Sequence, residues 1–173
     1  MTFLDVLDDA VKIGLGGFIG WLISKTTRSH EFEKERRRRK QDCLERVIED
    51  LDEQQFAFYD WYIASMAYHN LKTRNASPAT QAKALTAFTD GYQTQDRALT
   101  KLIRSQSKLI MFGFDECATA LRAYYEQTMS VGGKVHDLQQ GQMKAEDFAP
   151  FRTDLLTSAD SFRSTITKAF ATL

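Results

Sequence analysis

Apolar positions along this chain repeat at three- and four-residue intervals, the period of helices that bury one face. From His30 to Arg74 there is neither proline nor glycine. Leu44, Leu51 and Phe58 recur at intervals of seven, with Val47 or Ile48, Gln55 and Tyr62 at the intermediate positions. From Phe56 the apolar face widens, and Tyr59, Ile63 and Met66 form a second stripe. The pattern predicts one long helix, a polar stalk at first and then a core helix contacted on two sides. Asn75-Ala76-Ser77-Pro78 ends it and starts another, with Ser77 as N-cap and Pro78 as first helical residue. That second helix carries Leu85, Phe88, Tyr92, Leu99, Leu102 and Leu109, interrupted by Gln95 and Gln106, with a kink expected at Asp90-Gly91. It reads as an antiparallel neighbour joined by a short loop.

Gly113 is the expected C-cap of this helix. Asp115 is the expected cap of a third, running from Glu116 to Met129. Ser130-Val131-Gly132-Gly133 reads as a loop, and residues 134–142 as loose helix or extended chain. Asp147-Phe148-Ala149-Pro150 opens a last helix, on which Phe151, Leu155, Ala159, Phe162 and Ile166 share a face with Ala169 or Phe170. The expected fold is all-α. A short N-terminal transmembrane helix continues into a long stalk helix and an antiparallel bundle of about four helices. The divisions are a membrane anchor over 1–28, a basic stalk over 29–55 and a cytosolic bundle over 56–173.

The anchor rests on Ile13–Ser24, which carries no charge. Asp5, Asp8 and Asp9 precede it; Lys25, Arg28 and the run Arg36-Arg37-Arg38-Arg39-Lys40 follow. A spanning helix needs about 20 apolar residues. The run reaches that only if Val6, Leu7, Ala10 and Val11 join it and Lys12 snorkels to the surface. An interfacial helix and a buried core helix are the alternatives. The basic flank is C-terminal, which predicts a single pass with the N-terminus outside and the bulk of the chain inside. Lys12, Trp21, Lys25 and Arg28 are the expected membrane-interface residues. Gly16, Gly20 and Ser24 recur every four residues and form a small-residue face suited to close helix pairing, so a homo-oligomer is expected. The segment is not a dinucleotide loop, because Ile19 stands where the third glycine belongs and no strand precedes it.

Charge and chemistry change this picture little. Twelve Phe, six Tyr and two Trp supply bulk for a core, and the formal net charge is zero, so no global field attracts nucleic acid. The five basic residues advance about 100° each and encircle the helix rather than forming a stripe. Glu31, Glu33, Glu35, Asp42 and Glu45 lie close enough to pair with them. Membrane lipid is the expected partner of the anchor. A straight helix would carry Arg36 roughly 18 Å past Ser24, beyond the Debye length of about 8 Å, so headgroup contact by the whole run needs a bend. Nucleic acid is not expected; a protein partner is compatible with the pattern. Cys43 and Cys117 form no CxxC and read as reduced thiols. His30, His69 and His136 stand in no zinc spacing. Asp60, Ser65 and His69 can be named as a set, but on one helix they do not converge on a reacting atom. Phe56–Tyr62 reads as plain core. No metal site and no cofactor is implied, and the chain reads as non-enzymatic.

The fragment KLIMFGFDECATALRAYY, together with the glycine-rich IGLGGFIGWLIS and the arginine-rich helix that follows it, resembles a group of uncharacterised bacterial membrane-anchored proteins. Their motif runs approximately K-L-x-L-F-G-S-x-E-V before an apolar helix. Phe114 here replaces the small capping residue, and Cys117 an aliphatic one. The resemblance implies a helical domain tethered to a bacterial inner membrane and carries no activity with it. The expected function is an oligomeric scaffold or recruitment module. The alternative is a conditional membrane effector, a stress or antiphage toxin whose cytosolic domain senses a signal such as a nucleotide.

Overall fold

The computed structural model describes residues 3–173, with side chains from His30 onward except those of Ala145 and Ala149. The described chain is all-helical: α1 (Phe3–Thr73), α2 (Pro78–Met111), α3 (Asp115–Gln139), a 3-10 turn (Ala145–Phe148) and α4 (Ala149–Ala171). Its contacts divide it into two units, Met1–Lys40 and Gln41–Leu173. The residues expected to form the anchor and its pairing face, Lys12, Gly16, Gly20, Trp21, Ser24, Lys25 and Arg28, lie outside the residues whose side chains are described. Among the described residues, no helix is long and apolar enough to cross a membrane.

The unit Gln41–Leu173 is an up-down-up-down four-helix bundle. Antiparallel pairing of α1 with α2 is fixed by Lys101 against Asp50 and by Phe88 against Trp61. Tyr62 stacks on Phe148, and Arg163 reaches Asp52, so α1 also runs antiparallel to α4. Tyr124 stacks on Phe162 between α3 and α4. The Gln106 amide meets the Ala118 carbonyl between α2 and α3 at 3.5 Å. The core between them contains Leu44, Leu51, Leu102, Leu121, Tyr124, Leu138, Phe148, Phe162 and Ile166, all fully buried. Packing begins at Cys43, Leu44 and Val47, inside the stretch whose composition suggests a solvated stalk. Three or four apolar residues per two turns are enough to bury a face when the other sides are charged.

The helix ends share one device. At the end of α1, Asn75 takes a positive φ of 51°, and the amides of Asn75 and Ala76 return to the carbonyls of Lys72 and Leu71. The end of α2 repeats this at Gly113 (φ 79°), where Gly113 and Phe114 bond back to Ile110 and Leu109. These are Schellman closures, and their left-handed residue suits Gly or Asn. Phe114 follows the left-handed residue and is buried, as is Leu109 three residues before the cap. An apolar contact between these two positions accompanies the motif, which explains a large residue where a small cap was expected. Accordingly α3 begins at Asp115 with no side-chain cap; Asp115 and Glu116 occupy its first turn instead, where carboxylates oppose the helix dipole. Ser77 caps α2 as expected, accepting from the Thr80 amide at 3.3 Å.

Other expectations change as well. Ser130–Gly133 is not a loop: α3 continues through it to Gln139. Val131, Val135 and Leu138 are fully buried, and burial of that stripe outweighs the roughly 1 kcal/mol that each glycine costs in a helix. Nor is the second apolar stripe of α1 contacted on both sides, since Phe56, Tyr59 and Ile63 stay exposed. Gly91 lies within an uninterrupted α2, and its role is close approach. A Cβ there would lie 3.1 Å from the Trp61 Cα.

Substitution at the helical glycines should therefore diverge. Gly91→Leu pushes α2 away from α1 and should destabilise by about 1–3 kcal/mol. A Cβ on Gly133 meets nothing within 4 Å, so Gly133→Ala should stabilise by up to about 1 kcal/mol. Urea midpoints at a shared slope measure both; equal effects would contradict the packing around Trp61.

Candidate functional site

The basic run does not gather into a site. Arg36–Arg39 are exposed, and the Arg39 Nε donates to Glu35 at 3.0 Å, one turn away. An exposed pair of this kind contributes little. Of Asp60, Ser65 and His69, the first is exposed, the second buried and the third half-buried.

Instead, polar side chains collect inside the bundle. Asp50, Gln54, Ser65, Gln95, Ser105 and Thr128 are all buried. Asp50 accepts from the Ser105 hydroxyl at 3.0 Å and faces the Lys101 ammonium at 3.0 Å. The Tyr124 hydroxyl donates to the Gln54 side-chain oxygen across the core. Arg163 of α4 donates to Asp52 and, at 2.6 Å, to Gln55. Desolvation pushes the Tyr124 phenol well above its usual range; Thr128 and Arg163 oppose that only partly. Among the described residues, the Gln54 amide nitrogen, the Trp61 indole nitrogen and the Ser65 hydroxyl find no hydrogen-bond partner. These orphans matter, because an unmade hydrogen bond at a buried group costs about 1–3 kcal/mol.

Both cysteines are buried and free. Burial raises the Cys43 thiol, with Lys108 opposing it. Burial also raises Cys117, and the neighbouring Glu116 adds to the effect. Cys117 is a packed core residue whose Sγ lies 3.8 Å from the Thr165 carbonyl.

Beside the polar core a groove of about 570 Å³ opens between α1, α2 and α3. Trp61, 97% buried by its 3% exposure, forms its inner wall. Tyr92 lies edge-on to the indole at 5.6 Å, and Phe88 tilts against it at 6.2 Å. Leu99 and Met129 complete the apolar lining, and Gly132 and Gly133 leave one side free of side chains. A Cβ on Gly132 would already touch the Trp61 ring at 3.8 Å. Gln95, Asp96, Thr128, His136 and Gln139 supply polarity. The Gln140 amide donates to His136 Nε2 at 2.7 Å. A concave groove of this volume, with aromatic and aliphatic side chains beside several polar groups, has the form of a small-molecule site.

Sequence reasoning did not find this groove. Its one visible signal is Gln95, a polar residue interrupting an apolar helical row. Gly132 and Gly133, expected in a loop, are helical residues on the groove's edge, and of the two only Gly132 faces the Trp61 ring. No family model, curated protein or solved structure matches this chain.

Two measurements follow from the buried groups. Tyr124→Phe leaves the Gln54 oxygen without its donor and should destabilise by about 1–3 kcal/mol; a change near zero in urea unfolding would mean the bond does not form. The raised thiol and phenol pKa values mean the folded state holds its protons longer than the unfolded one. Their stabilising contribution is complete below the unfolded thiol value of 9.0 and lost as pH rises through the folded values. The urea midpoint should fall above about pH 9, and both thiols should resist Ellman's reagent until the chain unfolds. Fast labelling of the native protein at neutral pH would contradict their burial.

Proposed function

We propose that this chain is a membrane-tethered, non-enzymatic helical bundle, a scaffold or recruitment module at the inner face of a bacterial membrane. The observation that carries the reading is the unit Gln41–Leu173, which contains its own closed core. A bundle complete in itself leaves the preceding residues available for attachment. Their chemistry suits that use: acidic residues, then uncharged Ile13–Ser24, then Lys25, Arg28 and the arginine run. Gly16, Gly20 and Ser24 provide the face for self-association. Lys12, Asp8 and Asp9 sit close to a short span, and ionisable residues there are costly and commonly functional.

The groove beside Trp61 favours a second reading, in which ligand binding to the bundle controls what the N-terminal segment does in the bilayer. The two readings share the anchor and differ in whether the bundle only recruits or also senses.

Alkaline carbonate extraction of membranes tests the anchor. Full-length protein should stay in the pellet, and a version lacking residues 1–28 should be released while keeping its helical circular dichroism. Release of the full-length protein would overturn the tether. Gly16→Leu with Gly20→Leu should reduce cross-linked oligomer without releasing the protein. Depolarisation on overexpression, abolished by Lys12→Leu, would select the effector over the scaffold.

A further inference from the structure

We propose that the groove binds a small amphipathic organic amine, its flat apolar body against Trp61, Phe88 and Tyr92 and its ammonium beside Asp96. This deepens the sensing reading but requires only the bundle, not the anchor.

Three observations converge on that class. First, Gln95 lines the groove and keeps only 6% of its surface exposed. Its amide offers both a donor and an acceptor to a ligand heteroatom entering the groove. Second, the lining holds a carboxylate, Asp96, and neither lysine nor arginine. Asp96 makes no ion pair among the described residues, so its charge is available to a cation. Phosphates and carboxylates find no counter-charge in this lining, which separates the ligand from a nucleotide. Third, the wall contains three aromatic rings, with Tyr92 inclined at 60° and Phe88 at 34° to the Trp61 indole. Aromatic faces attract ammonium groups, tryptophan most strongly. Gly132 and Gly133 keep the opposite side open for the ligand's apolar body.

The test uses full-length ¹⁵N-labelled protein titrated with 2-phenylethylamine and tryptamine, and with the matched acids 3-phenylpropionate and indole-3-propionate. The Trp61 indole N–H and the Gln95 side-chain amide report at the groove. Both amines should shift these resonances saturably, and the acids should bind about two- to fivefold more weakly, the scale of one partly exposed ion pair. Asp96→Asn should weaken the amines by about the same factor and leave the circular dichroism unchanged. Equal response to acids and amines overturns the proposal, as does silence at both resonances or undiminished amine affinity in Asp96→Asn. None of these outcomes depends on carbonate extraction, so failure of the ligand class and failure of the tether are read separately.

Discussion

The Tyr124 hydroxyl meeting the Gln54 side chain across the core is the contact on which the arrangement of this bundle depends. Apolar helix faces can slide past one another by a turn at little cost, since leucine on leucine is nearly indifferent to register. A buried hydrogen bond is not indifferent, because misregistration strands both groups without water. The same logic applies one turn earlier on α1, where Asp50 takes Ser105 and Lys101 from α2. Arg163 adds α4 through Asp52 and Gln55. Within five residues, α1 thus presents polar partners to all three other helices. We regard this layer as the registry device of the fold, a use for which buried polar groups are well suited.

Trp61 lies two turns further along the same helix and has the opposite effect. The layer at Gln54 closes the bundle; the indole wedges it open. It needs glycine at one neighbour: Gly91 lets α2 pass its backbone, whereas a Cβ on Gly132 would meet its ring at an ordinary contact distance. Past that point the helices retain aromatic contacts such as Tyr68 on Phe88, but side chains no longer fill the space between α2 and α3, and the groove results. One end of the bundle is therefore built for stability and register, and the other has room for something else. A scaffold requires only the first property, and a sensor requires both.

How much of this was legible follows from which signals are local. Helix ends were legible where they use local chemistry: Ser77 with Pro78, and Gly113. The core face of α4 was legible because Leu155, Ala159, Phe162 and Ile166 keep strict helical spacing. The end of α3 was not, since Gly132-Gly133 signals a turn to any local reading, and the burial of Val131, Val135 and Leu138 that carries the helix through it depends on distant helices. The start of the core was misjudged because Cys43, Leu44 and Val47 sit among many charges. Phe56, Tyr59 and Ile63 look like core and are exposed; the bundle has four helices, and that face of α1 has no fifth to meet. Of the groove only Gln95 left a trace, because its walls come from three helices whose register is set by pairs such as Gln54 and Tyr124, far apart in sequence.

The central claim is that residues 41–173 form a self-sufficient bundle around a buried polar layer. Urea unfolding of that segment alone, followed by tryptophan fluorescence and far-ultraviolet circular dichroism together, tests it directly, because Trp61 is then the sole tryptophan. The account predicts one cooperative transition, coincident by both probes, at the midpoint of the full-length chain. Non-coincident transitions, or a helical segment that binds a hydrophobic dye and lacks a near-ultraviolet signal, would show that the bundle does not close on its own and would contradict the account.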